Sequence, residues 1–325
     1  MATTRQFDGT YSVTLISPDA EGPLIMTRPE AVSGSIFGKH DCRGHPERQD
    51  RLDNALRGVP PGIKVLEPVP AGKGDVAGVH DAAYLEYISE RAGSCPPGHC
   101  CYLEPDTYVN QYSYETAFLA AGAAMLAVDR ALSGVHCFAL VRPPGHHAGT
   151  GYAKGFCIVN NAAVAALHAL SRCDRVAIVD WDVHHGNGTQ DIFYDSGQVL
   201  YCSIHQSPWF PGTGWPHETG IGEGENKNLN VPLPAGSGIR EYREALEKKI
   251  LPEITRFSPD IIVVSAGQDT LIDDPLGGMN LVPADFGELT SLLCTGSGNV
   301  LALVLEGGYG PSHGDAVHGI FHALE

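Results

Sequence analysis

The chain lacks any apolar run of the about 18 residues that a membrane-crossing helix requires, and Met1 to Tyr11 lacks the basic start and apolar stretch of a secretory signal. Cationic side chains are scarce: 21 Lys and Arg against 38 Asp and Glu leave a net charge of −17. Gripping a phosphate backbone takes clustered Lys and Arg, so nucleic-acid binding is excluded, and any electrostatic preference is for cationic partners. The expectation is a soluble cytoplasmic protein, with no membrane partner. No internal repeat, low-complexity tract or long Ser/Pro linker divides the 325 residues, so one domain over 1–325 is expected. With 43% hydrophobic and 18% charged side chains, the chain can bury a large core.

The nine cysteines are odd in number and scattered, several of them inside apolar runs, and most read as buried free thiols of a reducing compartment. The segment Cys95 to Cys101 differs, because Cys95, His99, Cys100 and Cys101 offer four soft ligands around a Pro-Pro-Gly turn. A structural zinc site and an ordinary flexible loop both fit. The loop is favoured, since the sequence shows no second ligand cluster.

Short β-branched apolar runs recur at Cys137 to Val141, Arg175 to Val179, Val199 to Ile204, Ile261 to Ser265 and Val300 to Leu305. Helical patterns lie between them at Tyr112 to Leu132, Asn160 to Ser171, Ile239 to Arg256 and Pro283 to Leu293. Uniformly apolar strands alternating with helices predict an α/β fold, a central mostly parallel sheet covered by helices on both faces. Ligand sites of such sheets lie beyond the carboxyl ends of the strands. The long loops Asp180 to Thr189, His205 to Asn230 and Ala266 to Asn280 follow strand ends and are where chemistry is expected.

Four polar groupings sit there. After Val179 come Asp180, Asp182 and His184, which an extended chain turns to one side. Two carboxylates and an imidazole ending an apolar strand suit a divalent metal, with a solvated capping turn as the plainer alternative. After Val141 the run Arg142-Pro143-Pro144-Gly145-His146-His147 offers two histidines as acid and base or as ligands. Asp269 follows Ser265-Ala266-Gly267-Gln268, and Tyr309 follows Leu305-Glu306-Gly307-Gly308. Each alone is ordinary turn chemistry. Four at the ends of four parallel strands are not, because the topology brings those ends together.

These blocks, with Gly155 to Asn161, Pro211-Gly212-Thr213-Gly214 and His45-Pro46-Glu47-Arg48 before Arg51-Leu52, resemble the zinc-dependent histone deacetylase superfamily. The likeness is greatest to class II and bacterial amidohydrolase members, acetylpolyamine amidohydrolases among them, and runs from about residue 40 to 310. The resemblance implies an arginase-like deacetylase fold and zinc-dependent hydrolysis of an N-acyl amide of lysine, of a polyamine or of another primary amine. It places Zn²⁺ on Asp182, His184 and Asp269. His146 and His147 match the catalytic pair, and Tyr309 the donor to the carbonyl oxygen. His147 is expected as the principal base, with Asn187 as its acceptor, and His146, backed by Asp180, as its cationic neighbour.

Gly155, Phe156 and Phe210 match the walls of a narrow apolar tunnel, and Asp106 matches a rim acceptor for substrate or is simply a turn residue. Structural K⁺ is implied at Asp180, Asp182, His184, Ser203 and Ile204, with a second site near Phe193, Ser196 and Val199. Gln268 and Val159 depart from the usual pattern without removing a ligand. The acidic loop with Glu218, Glu223 and Glu225 is expected beside the tunnel mouth, as a cation-attracting surface or a merely solvated loop. A manganese ureohydrolase of the arginase type would need more aspartates in the metal strands, and a silent acyl-lysine binder would have lost a ligand or Tyr309.

Overall fold

The computed structural model describes residues 28–325. The expectation about Met1 to Tyr11 therefore lies outside the described residues. The first half comprises β1 (Glu30–Val32), α1 (Gln49–Arg57), β2 (Lys64–Leu66), α2 (Lys73–Ala77), α3 (Ala82–Gly93), the hairpin β3 (Cys101–Glu104) and β4 (Thr107–Val109), α4 (Ser113–Leu132) and β5 (Cys137–Ala139). Then follow α5 (Asn161–Leu170), β6 (Val176–Asp180), α6 (Asn187–Phe193), β7 (Val199–Gln206), β8 (Asn228–Leu233), α7 (Ile239–Ala245), α8 (Leu251–Phe257), β9 (Ile261–Ala266), α9 (Pro283–Ser297), β10 (Leu301–Leu305) and α10 (His313–Leu324).

Eight strands form one sheet in the order β2-β1-β5-β10-β9-β6-β7-β8, and every pairing in it is parallel. The α/β expectation holds. The five apolar runs read from the sequence are β5, β6, β7, β9 and β10, and every residue of these strands is buried. Covered on both faces, they carry no polar alternation. Among the described residues no helix is long and apolar enough to cross a membrane.

Register is what matters for function. Ala139, Val304, Ser265, Asp180 and Ser203 lie in one row across β5, β10, β9, β6 and β7. The four polar groupings therefore leave four neighbouring strands at one height, on one edge of the sheet. The alanine-rich α4 buries thirteen residues and packs against α5, β5 and β10; side chains this small let a helix lie close to the strands. The pattern read as one helix over 239–256 is α7 and α8 joined by a π-helical turn at Leu246–Ile250.

The corner around Cys95 corrects one expectation. Cys42 pairs with Cys100, and Cys95 with Cys101, so the segment 95–101 is a cross-linked corner rather than a flexible loop. The missing partner was Cys42, which lies 58 residues before Cys100. Cys137, Cys157, Cys173, Cys202 and Cys294 remain free thiols as expected. The acidic loop of 218–225 does not line the central cavity. Glu218 instead accepts hydrogen bonds from Gln190 Nε2 at 2.8 Å and Gly214 N at 3.0 Å, fixing the loop's own path.

Beyond the β5 and β10 strand ends lies a buried ionic knot. The Glu47 carboxylate takes Arg142 Nε at 2.8 Å and Nη2 at 2.7 Å, Arg51 Nη1 at 3.3 Å and the Tyr108 hydroxyl at 3.1 Å. Burial pushes Glu47 up, but the Arg142 charge and the bonds from His40 and Arg142 hold it well below the ordinary carboxylate range. Glu47→Ala strands the fully buried Arg142, and removing one partner of such a pair typically costs about 3–5 kcal/mol. Urea unfolding is expected to show a loss of that size. A loss under about 1 kcal/mol, the scale of an exposed pair, would count against the knot as a support.

Candidate active site

The loops leaving β5, β6, β7, β9 and β10, with the β3–β4 turn, enclose a cavity of about 250 Å³, lined by His146, His147, Asp182, His184, Asp269 and Tyr309 together with Gly155, Phe156, Phe210, Asp106, Trp209 and Leu276. Every residue assigned from the sequence to the catalytic pair, the zinc ligands, the tyrosine or the tunnel wall is there. Trp209 and Leu276 were missed, since a lone aromatic and a lone leucine in loops carry no periodic signal.

Asp182, His184 and Asp269 present their ligand atoms within 4.8 Å of one another. His184 Nδ1 lies 3.1 Å from both Asp182 Oδ1 and Asp269 Oδ2. Burial disfavours an imidazolium, but hydrogen bonds and charge from the two aspartates raise His184 to about 10. Two hard carboxylate oxygens with one imidazole nitrogen form a donor set suited to a divalent ion such as zinc, so the residues fit the expected metal. Their remaining oxygens are held by peptide groups: Asp182 Oδ2 accepts Gly307 N at 2.8 Å, and Asp269 Oδ1 accepts Val183 N at 2.8 Å.

The two histidine rings lie tilted against each other, centroids 4.1 Å apart and planes at 44°, but live in different surroundings. His146 Nδ1 meets Asp180 Oδ2 at 3.0 Å, and Tyr201 donates to the same oxygen at 3.0 Å. Burial works against charge on His146, yet Asp182 and Asp180 lift its pKa well above the usual histidine value. His147 is pushed well below that value by burial, then by the charges of His146 and His184. Its Nδ1 lies 2.8 Å from Asn187 Oδ1, while Asn187 Nδ2 donates to the Tyr152 hydroxyl at 2.9 Å. The amide oxygen therefore faces His147, so Nδ1 carries the proton and Nε2 offers its lone pair.

A residue quoted without a role ties the histidines to β10. Glu306 Oε2 accepts Gly145 N at 2.6 Å and His146 N at 3.1 Å, so one carboxylate fixes the backbone that aims both rings. Tyr309 packs edge-on to Phe156 with centroids 5.8 Å apart, and the Arg51 guanidinium lies 4.8 Å over its ring. Burial raises the tyrosine well above its ordinary pKa, with Arg51 opposing, so the hydroxyl keeps its proton and remains a donor.

The wall segment adopts a strained backbone, with Phe156 at φ 69° and Gly155 at φ 54°. Asp106 and Thr107, at the turn into β4, hold it: both Asp106 oxygens lie 3.3 Å from Gly155 N, and Thr107 Oγ1 accepts Phe156 N at 3.0 Å. A Cβ at residue 155 would sit 2.3 Å from the His147 ring, so only glycine fits. Phe210 faces His147 edge-on at 5.2 Å and is 39% exposed, which puts it at the mouth.

Among potassium candidates, Asp180 and Ser203 are partners in register across β6 and β7. Ser203 Oγ is bonded to His205 Nδ1 at 2.9 Å. At the second candidate position the Phe193 carbonyl already accepts Ser196 N at 3.0 Å.

The Histone deacetylase domain profile matches residues 45–324. Histone deacetylase 15 of Arabidopsis thaliana is 42% identical over 280 residues, which are 82% of this chain and 50% of that protein, so the chain spans half its length. A probable deacetylase of Archaeoglobus fulgidus is 37% identical over 303 residues, 86% of this chain and 81% of that one. The crystal structure of the acetylpolyamine aminohydrolase from Burkholderia pseudomallei superposes with a TM-score of 0.84 at 31% identity, covering 91% of this chain and 98% of the other.

Asp269→Ala leaves His184 with a single carboxylate neighbour and removes a hard donor from the group. Elemental analysis of the folded variant is expected to find the metal lost, and a fully metallated variant would contradict the ligand assignment.

Proposed function

The chain belongs to the histone deacetylase family, whose members include deacetylases and related amidohydrolases, and on that premise we propose that it acts as one catalytic domain that uses Zn²⁺ to hydrolyse N-acetyl amides of lysine side chains. The observation that carries the reading is the convergence of the Asp182, His184 and Asp269 donor group, His147 and Tyr309 on one apolar cavity.

A divalent ion on those three ligands supplies Lewis acidity towards the amide carbonyl and lowers the pKa of water to about 7. The protein groups divide the rest. His147 takes the proton of the attacking water on Nε2, its other nitrogen being anchored on Asn187, and later returns a proton to the departing amine. His146, charged through Asp180, keeps His147 neutral and adds positive potential where negative charge develops. Tyr309 donates a hydrogen bond to the carbonyl oxygen as it becomes an oxyanion. Phe156 and Phe210 sheathe an aliphatic chain and keep water from it. A monovalent cation such as K⁺ at Asp180, Asp182, His184, Ser203 and Ile204 belongs to the same reading, with weaker support for one at Phe193, Ser196 and Val199.

The mouth favours acetyl-lysine within a peptide over an acetylated polyamine. Its one lining carboxylate beyond the metal group, Asp106, is already engaged with Gly155 N, and the Lys154 ammonium lies 5.5 Å over the Phe210 ring. A polycation gains little there. The likeness to an acetylpolyamine aminohydrolase and the net charge of −17 support the polyamine alternative. Zinc-loaded protein assayed side by side is expected to give kcat/KM at least about tenfold higher, a 1.4 kcal/mol difference, on acetyl-lysine peptide than on acetylated polyamines. The reverse order would assign the polyamine class.

Tyr309→Phe is expected to keep fold and metal while losing about 10²- to 10³-fold in turnover, as when one oxyanion donor is removed. Near-normal turnover would remove Tyr309 from the reaction.

A further inference from the structure

Tyr309 sits in a run, Glu306 to Gly310, in which glycine occupies positions 307, 308 and 310. Gly308 has φ +124°, a conformation nearly closed to other residues. Such a backbone does not by itself aim a side chain, so the tyrosine needs anchors from elsewhere. Two lie before it: Gly307 N donates to Asp182 Oδ2 at 2.8 Å, and the Gly308 carbonyl accepts Arg51 Nε at 3.0 Å.

From the tyrosine onward one side chain takes over. Asp274 Oδ2 accepts Tyr309 N at 2.6 Å and Gly310 N at 2.9 Å. Its other oxygen, Oδ1, accepts Leu276 N at 2.9 Å. Leu276 lines the cavity, and its carbonyl accepts Trp209 Nε1 at 3.0 Å. Asp274 is 6% exposed, so its three charge-assisted bonds are shielded from water. Next to it, Asp273 Oδ2 accepts Ser312 N at 3.1 Å and Ser312 Oγ at 2.6 Å, extending the hold to the start of α10.

We propose that Asp274 is the positioning residue that sets the spacing between the Tyr309 hydroxyl and the Leu276 and Trp209 wall of the cavity, using one oxygen for each side. The inference rests on the role given to Tyr309 above. It assigns Asp274 no contact with substrate or metal: the carboxylate acts through the two pieces of backbone it joins. Misplacing a reacting group by about 1 Å can cost 10²-fold, which is the scale on which such a clamp acts.

The two oxygens make the two halves separable. Asp274→Ala releases both, and is expected to lower kcat about 10- to 100-fold and to raise KM, with metal content unchanged. Asp274→Asn keeps one carbonyl oxygen for Tyr309 N and Gly310 N but turns an amide donor towards the Leu276 N–H. It is expected to restore most of kcat while KM stays raised. A double-mutant cycle with Tyr309→Phe reads the link to the hydroxyl directly. Once the hydroxyl is gone, Asp274→Ala is expected to lower kcat by no more than about twofold further, the limit within which independent effects are told apart.

Full additivity of the two kcat losses, or near-normal kcat in Asp274→Ala, overturns the clamp. Should Asp274→Ala not fold, kcat lost with KM retained in Asp274→Asn overturns it as well. Near-normal turnover in Tyr309→Phe alone is a different failure, since it removes the role of the tyrosine and with it the catalytic half of the clamp.

Discussion

Three carboxylates, Asp180, Asp182 and Asp269, lie fully buried at the ends of two neighbouring strands, and the rest of the site is organised around making that bearable. Unpaired charge in a protein interior costs several kcal/mol per ion. The chain answers with peptide N–H groups from Asp182, Val183 and Gly307, with two histidines drawn towards their charged forms, and with a ligand group shaped for a cation. A divalent ion on that group, as the proposed function requires, would neutralise most of this buried charge. Part of the acid excess in the composition therefore lies buried at these strand ends rather than on the surface.

The same charges separate two adjacent histidines into two chemical species. His146 touches Asp180, and the neighbouring carboxylates raise its pKa. His147, one residue on, touches the neutral Asn187 and feels His146, so it stays neutral. Environments that push neighbouring groups apart are how one fold provides a base and an electrostatic stabiliser at one pH. The parallel sheet makes the arrangement possible, because its register brings four loops to one height without any of them crossing the core.

The five central strands were legible because strands covered on both faces are uniformly apolar, and the site followed from polar residues placed immediately after them. The three-residue strands Glu30–Val32 and Lys64–Leu66 lack the flanking apolar residues that made the equally short Cys137–Ala139 visible, and Lys64–Leu66 is largely exposed. The pairing of Cys42 with Cys100 and of Cys95 with Cys101 depended on a corner formed by distant segments. Asp274 was invisible for a related reason: an aspartate before a proline reads as a turn, and its meaning lies 35 residues away at Tyr309. Ligands announce themselves by residue type, whereas the residues that aim them are ordinary acids whose partners are backbone.

The central claim is that a bound metal in the Asp182, His184 and Asp269 group makes this chain an amide hydrolase. Its most direct test is the turnover of an acetyl-lysine peptide by protein stripped with a chelator, measured before and after one equivalent of Zn²⁺ is returned. Stripping is expected to abolish turnover, and a single equivalent to restore it. Undiminished turnover by the stripped, metal-free protein would contradict the claim.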